Sequence, residues 1–395
     1  MSPTPVTFNS PTAPSTYAWE ATNEEVARRY GLPVEDVVRF DLNTSPVPPP
    51  MVGAILAAGT FETPLSEYPP SDYGRLIAAA ASRYGVAIDE ILVGAGADEI
   101  LDLVAKTFLR PGLAALVPGP TYSMYRVLTE QRGAGVIDVP RRPAAGGWTL
   151  DRVAMRRAAR RAAVIWLCNP NNPTGLPEPD GQIAGILDDL AHDADAAGRP
   201  RPVVVVDEAY AEFVAWSALS LRDGYPDLIV VRTLSKAYGL AGLRVGFAVT
   251  RAATIAKIAP YRPPSSVSTI SVTVASRVLA SDEVMAANIA RVQEERPRLI
   301  AGLAAAGLDV AASVTNFVLA GFDSPGRAGA VAEQLMRRGM VPRTFGAGHP
   351  LAAYLRLTVR DRADNDRLVA AVAKIIAAGL DRPGAQLTDS AEETR

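Results

Sequence analysis

The chain has 395 residues, 48% of them hydrophobic, which is enough to bury a large core and to divide into two or three domains. Its 40 basic and 42 acidic side chains nearly cancel, so neither nucleic acid nor an anionic membrane is an expected partner. The single cysteine, Cys168, excludes a disulfide framework within the chain and fits a reducing, cytoplasmic setting, and no apolar run has the form of a signal peptide or the roughly 20 residues of a membrane helix.

Residues 1–15 are rich in Pro, Thr and Ser, and with 383–395 they are expected to be disordered. Residues 16–48 are expected to form an N-terminal arm that packs with the small domain or a dimer partner. From 49 to 280, short apolar runs alternate with helical patterns. Ile91–Val93, Ala114–Val117, Val164–Leu167, Val203–Val206, Leu228–Val231 and Val245–Val249 each read as a strand too apolar to have a wet face. That alternation predicts an α/β fold: a three-layer αβα large domain around a mainly parallel sheet. A long helix is expected from Ser281-Asp282-Glu283, an N-cap followed by acidic first-turn residues. Strands at Asn316–Leu319 and Tyr354–Val359 and a last helix with Leu368, Val372, Ile375 and Ile376 on one face complete a smaller α+β domain over 281–382.

Open parallel sheets collect ligands at the carboxyl ends of their strands, and the unusual residues fall there. Only four lysines occur, and Lys106, Lys257 and Lys374 lie in helical patterns, where a solvated side chain is the ordinary reading. Lys236 follows a strand in Thr233-Leu234-Ser235-Lys236, a rigid position that suits a Schiff-base lysine. Asp207 ends a run of four valines, where a carboxylate either caps a turn or faces a cation such as a protonated pyridine nitrogen. Tyr210 stands three residues on, within reach of a phenolic oxygen on the same ring. The turn Asn169–Gly175 would aim an asparagine amide with little freedom. Gly94-Ala95-Gly96-Ala97-Asp98 opens a helix and lets backbone N–H groups approach a phosphate, with Thr233, Ser235 and Arg244 as further contacts. Tyr122 is either a core aromatic or a plate against the ring. Arg356 is either an edge-strand residue or a bidentate clamp for an anion. No metal-ligand cluster is read in the sequence.

Asn169–Gly175, Asp207–Tyr210, and Ser235-Lys236 with Arg244 resemble, in residues and in order, the fold type I enzymes of pyridoxal 5′-phosphate (PLP). Tyr17, Asp41-Leu42-Asn43, Tyr68-Pro69, Gly96–Ile100, Pro120–Tyr125, Thr233–Gly246 and Leu355–Val359 are similar to histidinol-phosphate aminotransferases. The resemblance implies a PLP-transferase fold and a transfer of an amino group to a 2-oxo acid such as 2-oxoglutarate. It implies that Lys236 holds the cofactor, Asp207 pairs with its ring nitrogen, and Asn172 and Tyr210 contact its phenolic oxygen. Gly96, Ala97, Asp98, Thr233, Ser235 and Arg244 would hold the phosphate. Tyr68 would reach the site of a second subunit in a homodimer. Tyr17, Asn43, Arg343 and Arg356 would face the substrate, the two arginines taking a carboxylate or a phosphate. The family's Asn-Glu-Asn-Pro stretch reads Asn43-Thr44-Ser45-Pro46 here, which leaves the donor open between histidinol phosphate and an aromatic or specialised amino acid. A lyase such as a phosphothreonine decarboxylase would carry the same cofactor residues. An oxygen-dependent oxidase fits less well, because the only histidines are His192 and His349.

Overall fold

The computed structural model describes residues 15–61, 63–144 and 147–382, so the disorder expected for 1–15 and 383–395 lies, apart from Ser15, outside the described residues. The chain divides into two compact units: Met1–Tyr17 with Val47–Ile289, and Ala18–Pro46 with Ala290–Arg395.

The first unit is built on seven strands: β1 (Ile91–Gly94), β2 (Ala114–Val117), β3 (Gly135–Asp138), β4 (Val164–Cys168), β5 (Val203–Asp207), β6 (Leu228–Thr233) and β7 (Gly246–Val249). Their order across the sheet is β1-β7-β6-β5-β4-β2-β3. From β6 to β3 every pairing is parallel, whereas β7 runs antiparallel to both β1 and β6. Hydrophobic pattern fixes burial, not direction, so this reversal could not be read from the run of apolar residues. Successive side chains point to opposite faces. Ile165, Leu167, Val204, Val206 and Val230 therefore enter one core, and Val164, Trp166, Val205 and Val231 the other. Edge strand β3 escaped sequence reading because only Val136 and Ile137 are apolar and neither is fully buried.

Helices cover both faces. Helix α1 (Gly74–Tyr84) packs on α3 (Thr269–Leu279) over β1 and β7, while α2 (Ala97–Phe108) buries Ile100, Leu101, Leu103 and Val104 on the opposite face. The long helix expected at Ser281 spans Asp282–Ala305, and the division between the units falls inside it.

In the second unit, β8 (Asp309–Ala311), β9 (Phe317–Gly321) and β10 (Tyr354–Thr358) form an antiparallel sheet. Helix α4 (Pro325–Met336) begins at Ser324, whose side chain accepts from Arg327 N, and α5 (Arg362–Ala377) begins at Asp361, which accepts from Asp364 N. Each cap satisfies an N–H that has no partner inside its helix. Leu368, Val372 and Ile375 of α5 are buried against Val318, Leu355 and Leu357, with Ile376 half-buried beside them. The arm residues Val38–Arg39 pair in parallel with Met340–Val341. Among the described residues, no helix is long and apolar enough to cross a membrane.

One glycine holds the sheet against the start of α2. A Cβ on Gly246, the first residue of β7, would stand 2.4 Å from Gly96 C and 2.5 Å from Ala97 N. Backbone cannot yield as a flexible side chain does. Gly246→Ala is expected to cost about 1–3 kcal/mol in urea denaturation and to weaken PLP binding, whereas Gly242→Ala, which meets nothing within 4 Å, should leave both near wild type.

Candidate active site

Beyond β6, the backbone folds back on itself around Lys236. Leu234 N donates to Val245 O at 3.1 Å, Leu240 N to Leu234 O at 3.0 Å, and Gly239 N to Lys236 O at 3.1 Å. Asn288 Nδ2 donates to Lys236 O at 3.2 Å and to Ala237 O at 2.8 Å. The lysine thus stands on a fixed loop, with Nζ 5.9 Å from the centroid of the buried Tyr210 ring. Buried Arg232 and Glu208 pair at 3.0 Å and tie the carboxyl ends of β6 and β5 together.

Asp207, the last residue of β5, is 3% exposed. Its Oδ1 accepts from Ala209 N at 3.1 Å, and its Oδ2 accepts from the Tyr125 hydroxyl at 2.8 Å. Burial pushes its carboxyl up to about 6, even though those two bonds and Lys236 pull the other way. No local pattern marks Tyr125 out; only the fold brings it, 82 positions away, onto Asp207.

Tyr122 lies beside Tyr125, with ring centroids 5.6 Å apart and planes at 88°, and Tyr17 meets Tyr122 edge-on at 6.3 Å. The Tyr122 hydroxyl donates to Asp98 Oδ1 at 2.9 Å. The other Asp98 oxygen accepts from Arg244 Nη2 at 3.1 Å. Gly96, at φ +87°, precedes α2, and a Cβ there would stand 2.5 Å from Arg244 Nη2. Ser235 N donates to Thr233 Oγ1 at 3.2 Å, and the two hydroxyls are 3.0 Å apart. A helix N-terminus, a guanidinium against Gly96 and two hydroxyls at the end of the neighbouring strand supply the donor set that a phosphate requires.

Asn172 is buried in the turn after β4. Its neighbour Asn171 donates to Pro120 O at 3.1 Å and Thr174 Oγ1 at 2.8 Å, and accepts from Arg141 Nη2 at 3.1 Å. Arg141 also pairs with Glu178, both side chains being essentially inaccessible to solvent. The sequence reading missed this pair, since nothing local sets Arg141 apart among so many arginines. Tyr68 is 86% exposed.

In the second unit, Arg343 and Arg356 are directly opposed, exchanging N–H···O bonds of 3.0 Å in both directions. Arg356 is buried and donates to Asp41 O, and Arg343 donates to Ala18 O at 2.6 Å with Glu20 at 3.8 Å. Asn43, at φ 53° and buried, donates its N–H to Thr358 Oγ1 at 2.9 Å. His349 stacks on Phe345 at 4.9 Å and accepts from Leu351 N at Nδ1.

A lysine on a braced loop, a buried carboxylate in need of a cation, and a cup for a phosphate fit PLP, which has an aldehyde, a basic ring nitrogen and a phosphate. With this fold, they define a PLP-dependent transferase. The family model for aminotransferase class I and II matches residues 40–372, and the chain belongs to that family as a PLP-dependent aminotransferase. It is 34% identical to histidinol-phosphate aminotransferase of Anaeromyxobacter sp. over 90% of this chain and 94% of that one. The same identity and coverage hold for the enzyme of that name from Symbiobacterium thermophilum. The crystal structure of histidinol-phosphate aminotransferase from Sinorhizobium meliloti in complex with pyridoxal-5′-phosphate superposes with a TM-score of 0.80 at 26% identity, covering 92% of this chain and 96% of that one.

The raised Asp207 value has a consequence for the apoprotein. A carboxyl whose folded value lies above its unfolded value of about 3.9 binds protons more tightly when folded, so stability falls as pH rises from about 4 to about 6. Asp207→Asn should remove that fall and make the apoprotein about 1–3 kcal/mol more stable at pH 7, as read by urea denaturation across the pH range, while PLP-dependent turnover collapses.

Proposed function

We propose that this aminotransferase takes histidinol phosphate as amino donor and 2-oxoglutarate as acceptor, and works as a homodimer. The observation that carries the reading is the opposition of Arg343 and Arg356. Like charges directly across an antiparallel pair repel, and their side chains share one face of the sheet. A bound dianionic phosphate would relieve that repulsion better than a monocarboxylate, and two guanidinium forks match its oxygens. The histidinol-phosphate aminotransferases among the relatives support the same substrate. Tyr68, whose ring is exposed, supports a site completed by a second copy.

PLP supplies an electron sink conjugated to the carbon that bears the donor's amino group. Lys236 would hold the cofactor, and its amine would take the proton from the carbon that bears the donor's amino group. Asp207 holds the ring nitrogen in its protonated form. Asn172 and Tyr210 would hold the phenolic oxygen, and Tyr122 would lie against the ring. Gly96, Ala97 and Asp98 with Thr233, Ser235 and Arg244 hold the cofactor phosphate. Arg343 and Arg356 hold the substrate phosphate, with Tyr17 and Asn43 lining the substrate side.

A half-reaction tests this: PLP-loaded protein, no acceptor, and histidinol phosphate, phenylalanine, tyrosine, glutamate, arginine or phosphothreonine in turn. Stoichiometric loss of the cofactor's absorbance band with histidinol phosphate is the expected result. Release of CO₂ from phosphothreonine without that loss overturns it. Arg343→Gln should raise KM for histidinol phosphate about 10- to 100-fold, the worth of a charge-assisted bond, and change the glutamate half-reaction much less. Equal losses with both substrates would sink the phosphate assignment.

A further inference from the structure

Asp207 has only two oxygens with which to control its proton affinity. One is bonded to the Ala209 N–H, a backbone donor that no side-chain substitution removes. The other is bonded to Tyr125, which is fully buried and comes from the helix Met124–Gln131. We propose that Tyr125 is a positioning residue for transamination: its hydroxyl, donated to Asp207 Oδ2, keeps the shared proton on the cofactor's ring nitrogen rather than on the carboxylate. The proposal rests on Asp207 pairing with that nitrogen.

The argument is a competition for one proton. A buried carboxylate gains basicity, since burial penalises its charge, and Asp207 is accordingly raised. A carboxylate basic enough to take the ring proton would leave the pyridine neutral and weaken the electron sink. A hydrogen bond donated to the charged form opposes this, and it stays neutral because the Tyr125 phenol is held well above its usual range by burial and by Asp207. The other titratable groups around Asp207 cannot substitute for it. Cys168, on β4, is pushed up to about 12 by burial and remains a thiol. Asp98, on α2, adds negative charge and raises Asp207, while Lys236 lowers it only through space.

The geometry leaves the hydroxyl little freedom. The Tyr125 ring is stacked on Trp166 at 5.6 Å with the planes 4° apart. Trp166 Nε1 donates to Thr129 Oγ1 at 3.1 Å, and Thr129 Oγ1 donates to Tyr125 O at 2.7 Å. The stacked plane and this chain of bonds fix ring and backbone together, so the donor is in place before the cofactor arrives.

The experiment uses the holoenzyme loaded with PLP labelled with ¹⁵N in the ring. Its ¹⁵N chemical shift reads protonation of the ring nitrogen directly. In the wild type the shift should be that of a pyridinium, and in Tyr125→Phe it should move toward neutral pyridine. The single-turnover half-reaction should slow about 10- to 100-fold, the worth of a hydrogen bond to a charged group, and that loss should shrink to within about threefold in an Asp207→Asn background, because the variant then has no carboxylate to act through. Far-UV circular dichroism and the PLP content of each variant establish that it is folded and loaded. A wild-type pyridinium that Tyr125→Phe leaves unchanged, with a lowered Tm alone, overturns the role of Tyr125 and spares that of Asp207. A neutral ring nitrogen in the wild type overturns the Asp207 pairing itself.

Discussion

A carboxylate at the end of a strand of four valines is the constraint around which the first unit is arranged. On the role proposed for it, Asp207 is ionised against a cationic ring nitrogen, yet burial among apolar neighbours opposes its ionisation. The compensations come from separate parts of the chain: a backbone N–H two residues on, a phenol from a helix, and the positive charge of Lys236. None is strong enough alone to return the carboxyl to its ordinary range. On the proposed role, the positive charge of the cofactor's ring nitrogen would offset the remaining deficit. Stability and catalysis are in tension at this one atom pair.

The parallel sheet makes that convergence possible. Strands β4, β5 and β6 end side by side at Cys168, Asp207 and Thr233, and the chain leaves the sheet beyond them. Asn172, Asp207 and Lys236 thereby reach one edge from segments far apart in the chain. Strand β7 returns antiparallel between β1 and β6, which sets Arg244 next to Gly96. The phosphate cup is thus a product of a strand reversal as much as of the Gly96 turn.

The sequence showed the sheet well where strands are wholly buried. Ala114–Val117 has the predicted bounds, and β4, β5 and β6 run one or two residues past their apolar cores because Cys168, Asp207 and Arg232-Thr233 still pair. It failed at β3, which lies at the edge and lacks a continuous apolar run. Residues that carry their chemistry in a local pattern, such as Lys236 after its strand or Gly96 before its helix, could be picked out one by one. Tyr125 and Arg141 could not. A buried tyrosine and one arginine among many have no distinguishing neighbours, and what they do depends on partners 82 and 37 residues away.

The buried pair of Arg141 and Glu178 bears on how this fold can be recombined. Arg141 spans the stretch before β4 and the turn after it, through Asn171, while Glu178 N donates to Asn169 Oδ1 and its carboxylate accepts from Leu150 N. The residues from Pro120 to Glu178 are therefore a single inheritable block. A crossover between Arg141 and Glu178 with a family member that lacks one of the two would leave a buried charge without its partner, whereas crossovers on either side of the block would exchange the Asn172 turn intact.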